Sequence, residues 1–541
     1  MVNVTFNKNY LFKLLGFRLD DKKLAMHIEK MGFEVEASTK EEVGIALPAN
    51  RPDVVDIVGF ARALKNFMHK SKKLKYLIKG NDPALEIEVG GGIEGIRPFI
   101  AGMVVKGMKF DEQSLKHLLA FTEKFASNYG RNRRRLAIGL HNLDQISGML
   151  TYDAVKDEEF LALNVSRKMK FSEILKKNEK GIAYAGTIGD SKLYPVLKDA
   201  SGAISLVPIL NSERTKVTAS TKNLLIEITG TSRYIVEKSA DLFAAMFIDL
   251  GAEVQKIKVS YKGSSAILPK MSSASIEIPL IKIEGQIGVI IGFNNVISLA
   301  NKMGYEAALV GRNIRFRVPE YRLDILNEQD IIEDVAIAYG YDYIQPVPIY
   351  SEQMGEIEDA TKRSRELSEV MVGLGFSEML NSYLTNERQN FDSMRLKDHD
   401  SKYVRVKDAK MQKLTMLRTS LLPSLLGNIG MSVHEKMPQR IFELDLAFGI
   451  SDRVEERQML ACVVTDPKSN FNQIKAVVQA VLQSMRIEWQ VKENLHRSFI
   501  EGRCASVILK GKTIGVFGEL HPEVLGNFGI EEPTIAFEIS L

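Results

Sequence analysis

Four carboxylates crowd one short stretch of this chain: Asp324, Asp330, Glu333 and Asp334 all fall within VPEYRLDILNEQDIIEDVAIAYGYDYIQP, Val318 to Pro346. Asp330, Glu333 and Asp334 stand at i, i+3 and i+4, the spacing that puts side chains on one helix face, and Asp324 lies in the turn ahead of them. Like charges that close need neutralising, and a set of oxygen-only ligands suits a hard divalent cation, Mg²⁺ first among them. The alternative is a solvated first helical turn whose acids answer the helix dipole. A second cluster, GRNRRRLAIGLHNLD from Gly130 to Asp144, sets Arg131, Arg133, Arg134 and Arg135 just before a strand that leads to His141. Such arginines could grip phosphates. A solvated turn between helix and strand would look the same by charge, and a single histidine is more often structural than catalytic.

These clusters need elements to hold them. The 541 residues suggest three or four domains, and 45% hydrophobic content is enough to build their cores. With 72 basic and 68 acidic residues the net charge is +4, which neither demands nor excludes a nucleic-acid partner. Cys462 and Cys504 make neither a disulfide framework nor a metal-ligand pair, which favours a reducing compartment. The start MVNVTFNKNYLF has no signal-segment pattern, and no apolar run is long enough for a bilayer, so a cytoplasmic location is expected.

Near the start, Val2 to Phe6 reads as a strand. Asp20 opens a helix with Leu24, Ile28 and Met31 on one face, stopped by Gly32. Asn50 is expected to cap a further helix with Pro52 in its first turn and Val54, Ile57, Ala61 and Leu64 facing the core. The basic stretch KSKKLKYLIKG, Lys70 to Gly80, reads as the wet end of a domain. Gly90, Gly92 and Gly95 match a dinucleotide-binding spacing, but Arg97, Pro98 and a strand-like run follow instead of a helix. Those glycines are expected to form a linker between domains. From Arg97 to Gly263 strands and helices alternate. Leu268 to Pro346 has the pattern of a small domain, and the remainder, rich in strands such as RIFELDLAF, MLACVVTD and TIAFEISL, points to a largely antiparallel sheet.

The order Arg322-x-Asp324-Ile325, Asp330-x-x-Glu333-Asp334 and Tyr339-Gly340-Tyr341-Asp342 resembles the beta subunit of phenylalanyl-tRNA synthetase. NRPDVVDIVGFAR, Asn50 to Arg62, is similar to that family's first-domain signature. The segment Gly130 to Asp144 is close to its archaeal and eukaryotic type, and LRTSLLPSLL, PQRIFEL and GELHPEVL resemble its catalytic-like domain. The expected absence of an added carboxy-terminal anticodon-binding module and of an inserted oligonucleotide-binding barrel also resembles that type. The resemblance implies an α+β multidomain chain. Residues 1–88 would form an N-terminal α+β domain, 89–265 an editing and tRNA-binding domain, 266–346 a small winged-helix-like domain with the acidic signature, and 347–541 a class II synthetase-like antiparallel sheet with flanking helices.

The same resemblance implies that Asp324, Asp330, Glu333 and Asp334 hold a Mg²⁺ shared with an alpha subunit, in a complex with two copies of each chain that uses ATP to join phenylalanine to tRNA(Phe). It also suggests Ser205, Glu227 and Thr229, with His141 as a further candidate, as the pocket that hydrolyses tyrosine wrongly attached to that tRNA. A phenylalanine pocket cannot strongly reject an added hydroxyl, discrimination being on the order of a hundredfold, so a second site must recognise the hydroxyl. Glu227 is the acceptor expected for it, although the family's usual residue there is an Asp, one methylene shorter. A class II site grips ATP with an arginine two residues before a glutamate and another on a late strand. Here Ile441 precedes Glu443 and TIAFEISL has no arginine, so aminoacylation is expected on the partner. A free-standing hydrolase of misacylated tRNA and a non-enzymatic scaffold are the rival readings.

Overall fold

The computed structural model describes residues 1–70, 76, 78, 82–189, 192–396, 403–407, 409, 411 and 413–541. Most of the basic stretch Lys70 to Gly80 therefore lies outside the described residues. The chain divides into two compact units, Met1–Pro348 and Ile349–Leu541, in a mixed α+β arrangement. Among the described residues no helix is long and apolar enough to cross a membrane.

In the first unit the strands Val2–Asn7, Glu42–Leu47 and Glu34–Ser38 make a small antiparallel sheet. The helix Asp21–Lys30 begins as expected, with Asp20 accepting from the Lys23 amide, and it buries Leu24 and Ile28. The next helix does not start at Asn50. Pro52–Val54 form a single tight turn, Arg51 closes on Asp53 at 2.8 and 2.9 Å, and the helix Ile57–Phe67 starts later, where the Asp56 carboxylate accepts from Val58 and Gly59 amides. Asp56 therefore does the capping expected of Asn50, because a carboxylate adjacent to free amides is the stronger acceptor.

A ten-stranded sheet dominates this unit. Its order runs Leu210–Asn211, Gly202–Leu206, Tyr194–Asp199, Leu150–Val155, Leu85–Val89, Glu253–Tyr261, Phe99–Lys106, Leu224–Gly230 and Leu136–Asn142, with Ser264–Leu268 pairing on Glu253–Tyr261. Leu85–Val89 runs parallel to both neighbours. The segment expected as a linker follows a strand of this sheet and is tied to it at two of its glycines: a Cβ on Gly90 would fall 2.1 Å from the Asp153 carboxylate, and Gly92 donates its amide to Asp153 at 3.0 Å, while Gly91 and Gly95 stand open. Glycine is required at position 90 by close approach, not for flexibility. The helix Glu112–Ser127 opens on a reciprocal cap between Asp111 and Ser114. It packs Phe121 and Phe125 against Phe243 of the helix Arg233–Asp249, with ring centroids 5.0 and 5.4 Å apart.

A three-stranded sheet, Ser275–Pro279, Asn313–Arg317 and Glu306–Val310, is covered by the helices Leu280–Ile287, Phe293–Lys302 and Glu328–Tyr339 around Ile278, Val296, Phe316, Ile331 and Val335.

The second unit is built on a seven-stranded sheet in the order Ser377–Glu378, Gln439–Ile450, Val454–Thr465, Thr534–Ser540, Lys512–Leu520, Phe499–Leu509 and Gln490–Glu493, antiparallel except for the first pair. Strand alternation splits its core in two. Leu460, Cys462 and Val464 meet Ile474, Val478 and Val481 of the helix Phe471–Ser484 on one face. Ala461 and Val463 meet Leu425, Leu426 and Ile429 of the helix Leu422–Met431 on the other. Both cysteines are free and buried; burial raises the Cys504 thiol to about 11 and the Cys462 thiol above its ordinary value.

Candidate functional site

The strand Leu224–Gly230 lies between Phe99–Lys106 and Leu136–Asn142. Glu227 and Thr229 are two residues apart and so share one of its faces. Gly139 and Ala137 stand opposite them on the neighbouring strand, and His141, opposite Leu225, points to the same side. Asn211 donates to the Leu140 carbonyl at 3.1 Å, so a side-chain bond joins the two ends of the strand order. That closure brings Ser205 from the far strands to Glu227: its hydroxyl lies 3.1 Å from Glu227 Oε1 and 3.1 Å from Asn211 Oδ1. All four residues expected for the hydrolytic pocket are buried, and Ser205, Glu227 and His141 come together.

His141 Nδ1 is 2.9 Å from the Thr215 hydroxyl, which leaves Nε2 facing Glu227 Oε2 at 3.8 Å. Among the described residues neither Nε2 nor Oε2 has a hydrogen-bond partner. Buried polar atoms are almost always paired, because an unpaired one costs about 1–3 kcal/mol. Two such atoms turned toward each other, too far apart for a direct bond, each keep a hydrogen-bonding capacity that a third polar group could satisfy. Gly139 makes the room: a Cβ there would lie 2.4 Å from Glu227 Oε1.

Behind Thr229 stands Arg97, 1% exposed, whose Nε donates to the Thr229 hydroxyl at 3.0 Å and whose Nη2 donates to its carbonyl at 2.8 Å. Burial pulls the Arg97 pKa down to about 10, against the opposing influence of Tyr152 and Glu227. In the sequence Arg97 speaks only against a nucleotide loop; its one further signal is a lone cation entering an apolar strand.

The arginine cluster splits. Arg131, Asn132 and Arg133 are all left-handed, with φ of 51°, 51° and 64°, a conformation held by amide bonds back to Asn128, Ser127 and Ala126. Arg131 and Arg134 are exposed. Arg133 is not: it donates to the carbonyls of Pro208 and Ile209 at 2.9 Å each, pairs with Glu123 at 2.5 Å and lies 4.1 Å from the centroid of the Tyr184 ring. The left-handed turn reverses its side chain into the fold, which spacing in the sequence does not reveal.

The four acids do not converge. Asp330 is the third residue of the helix Glu328–Tyr339 and spends its carboxylate on the Leu326 and Asn327 amides, at 2.7 and 2.9 Å, in a reciprocal cap with Asn327. Asp334 faces inward, accepting from the Tyr305 hydroxyl at 2.6 Å and pairing with Arg322 at 2.7 Å. Asp324 is gripped by the same guanidinium at 2.8 and 2.6 Å. Glu333 is exposed. Among the described residues no three His, Cys, Asp or Glu side chains gather as a metal site. As placed, this donor set does not fit a shared cation, because Arg322 already neutralises two members and backbone amides occupy a third. Burial works against charge on Arg322, yet Asp334, Tyr305 and Asp324 hold its pKa well above the ordinary value.

In the second unit, Ile441 pairs with Val463, and the buried Glu443 is held by Arg418 at 2.6 Å and by Asn381 at 2.8 Å. Glu538 of the last strand accepts from Ser420 and from the Leu421 amide at 2.6 Å; burial raises its pKa despite those bonds. The chain's own groups thus occupy both Glu443 and Glu538.

Three family models match in chain order: the B3/4 domain over residues 96–245, the tRNA synthetase B5 domain over 276–341, and the phenylalanyl-tRNA synthetase beta chain CLM domain over 345–541. The phenylalanine–tRNA ligase beta subunit of Archaeoglobus fulgidus is 34% identical across 99% of this chain and 98% of its own length. This chain belongs to the phenylalanine–tRNA ligase beta subunits. The same protein from Methanocaldococcus jannaschii is 34% identical over the whole of both chains. The crystal structure of an N-terminal fragment of the phenylalanyl-tRNA synthetase beta-subunit from Pyrococcus horikoshii aligns with a TM-score of 0.60 at 30% identity, covering 63% of this chain and all of the fragment. Within this family frame, the B3/4 match contains Arg97, His141, Ser205, Glu227 and Thr229, and the B5 match contains all four acids.

Proposed function

We propose that this beta subunit frames aminoacylation on an alpha subunit and clears tyrosine from mischarged tRNA(Phe) in its own buried pocket. One observation carries the second half: His141 Nε2 and Glu227 Oε2, both enclosed and without a hydrogen-bond partner among the described residues, face each other at 3.8 Å. A phenol hydroxyl seated to one side of the line between them would donate to Glu227 and accept from the imidazole, satisfying both atoms; phenylalanine offers neither bond. In the hydrolysis, the oxygen of a water bonds to the ester carbonyl carbon and the bond from that carbon to the ribose oxygen breaks. The water's proton passes to the ribose oxygen, releasing tyrosine and tRNA. The hydroxyls of Ser205 and Thr229 are suited to orient that water or the carbonyl. The exposed Arg131 and Arg134 would meet tRNA phosphates.

For aminoacylation the reading rests on what fills the seven-stranded sheet, here taken as class II synthetase-like. Ile441 offers no guanidinium, and Glu443 and Glu538 are already satisfied internally. ATP and phenylalanine would therefore be handled by the alpha chain in an α2β2 complex. The helix Asp359–Gly373 supports docking of such a partner, because it buries only Leu367 and Met371. The four-part division at 88, 265 and 346, a winged-helix-like reading of the small sheet, and a cytoplasmic location belong to the same proposal. For Mg²⁺ shared through Asp324, Asp330, Glu333 and Asp334 the placement argues the other way, and no step is assigned to it.

Co-expression with an alpha subunit, followed by side-by-side assays of phenylalanine transfer and tyrosyl-tRNA deacylation, tests the proposal. Glu227→Ala is expected to abolish deacylation and spare transfer. Phenylalanine transfer by this chain alone would overturn it, and deacylation indifferent to the alpha subunit would favour a free-standing hydrolase.

A further inference from the structure

Arg51, Arg62, Arg133, Arg322 and Arg418 are buried and each has a carboxylate within ion-pair distance. Arg97 is buried as deeply, and among the described residues no carboxylate pairs with it. Its bonds go to the Thr229 hydroxyl and carbonyl, and to the carbonyls of Arg133 at 2.9 Å and Arg134 at 3.4 Å, while Tyr152 donates to the Arg97 carbonyl at 2.8 Å. Burying a cation without a counter-charge is costly, and carbonyl acceptors could be served more cheaply by neutral donors. The guanidinium also fixes the direction of one bond. It is a donor at every nitrogen, so the Thr229 oxygen facing it can only accept. Thr229's own hydroxyl hydrogen then has to point elsewhere, and no other partner for that hydroxyl exists among the described residues. An Asn or Gln at position 97 could turn its oxygen to the threonine and reverse the bond; an arginine cannot.

We infer that Arg97 is a positioning residue of the hydrolytic pocket, polarising Thr229 so that its hydroxyl donates to an oxygen of the bound aminoacyl ester. The attachment to the Arg133 and Arg134 carbonyls fixes the guanidinium against the left-handed turn, so the direction of the Thr229 hydroxyl is set before substrate arrives. This role rests on the editing reading above. It adds that the pocket holds a prepared donor for the ester as well as an acceptor for the phenol.

The test uses the full chain in complex with its alpha subunit, charged tyrosyl-tRNA as substrate, and phenylalanine transfer as the measure of intact folding. Arg97→Met is expected to lower kcat for deacylation by about ten- to a hundredfold, the usual penalty for a displaced reacting group, with KM changed by less than about threefold and transfer unaffected. Thr229→Val should show a loss of the same order, and the double variant should be no slower than the slower single one. Arg97→Lys keeps the charge but loses the fork; it reads the same coupling with Thr229→Val if the methionine variant fails to assemble. Deacylation at the parent rate in Arg97→Met, or losses that multiply in the double variant, would overturn the role of Arg97 while leaving the editing reading intact. Absence of deacylation in the unsubstituted complex would overturn both.

Discussion

Replacing Gly139 by alanine probes the pocket through one methyl group. The new Cβ would sit 2.4 Å from Glu227 Oε1, 2.6 Å from its Cγ and 2.7 Å from its Cδ, all well inside van der Waals contact. A side chain at the surface would swing away, but Glu227 is 4% exposed, bonded to Ser205 and backed by His141. The clash must therefore be met by backbone movement or by tearing the carboxylate from its place, and overpacking of this kind costs about 1–3 kcal/mol. Glu227→Ala removes the three atoms nearest to that methyl. The two substitutions should therefore be strongly non-additive: Gly139→Ala alone lowers stability by about 1–3 kcal/mol, and in the Glu227→Ala background it costs almost nothing, a coupling of the size seen between residues in contact. Denaturant unfolding of the four proteins measures this directly, and Gly139→Ala in the ligase complex should also lose tyrosyl-tRNA deacylation. Equal penalties for Gly139→Ala in both backgrounds would refute the placement of Glu227 over Gly139.

Asp56, the cap of the helix Ile57–Phe67, has its pKa raised to about 6, chiefly by burial, which outweighs the Val58 and Gly59 amides. Because the folded value lies above the unfolded one, folded chains take up this proton first as pH falls from about 6 to 4; the group then adds stability, up to about 3 kcal/mol. Asp56→Asn should remove that acid-side gain and be the more stable protein at pH 7, as thermal unfolding at pH 7 and pH 5 would show. Arg322→Met strands Asp334 without a counter-cation and leaves Asp324 only Arg51 at 3.9 Å, and should cost about 3–5 kcal/mol; chelator or added Mg²⁺ should leave the unfolding of the isolated chain where it is. A chelator-dependent transition would restore the metal reading of the acids.

Local chemistry was legible wherever a residue's partners lie close in the chain. Asp20 begins its helix as expected, and the alternation in MLACVVTD divides cleanly between two cores, since backbone amides and pleat direction are set within a few residues. Ser205, Glu227, Thr229 and His141 were named only because they resemble a family's pocket; nothing in spacing joins position 205 to 227. That meeting depends on Asn211 drawing the two ends of a ten-stranded order together.

The same limit governs every charge that was placed differently from expectation. Position in the chain put three acids on one helix face, but Arg322 and Tyr305, reaching them through the fold, decide that Asp334 points inward and Asp324 is already neutral in company. Arg133 looked like its neighbours until a left-handed turn buried it, and Arg97 looked like nothing at all until Thr229 stood beside it. The type of each side chain and its helix or strand periodicity were fully present in the amino-acid order. Which cation satisfies which carboxylate was decided only by tertiary structure, because electrostatic and hydrogen-bond energies depend on distance in space and on burial, and neither is a property of separation along the chain.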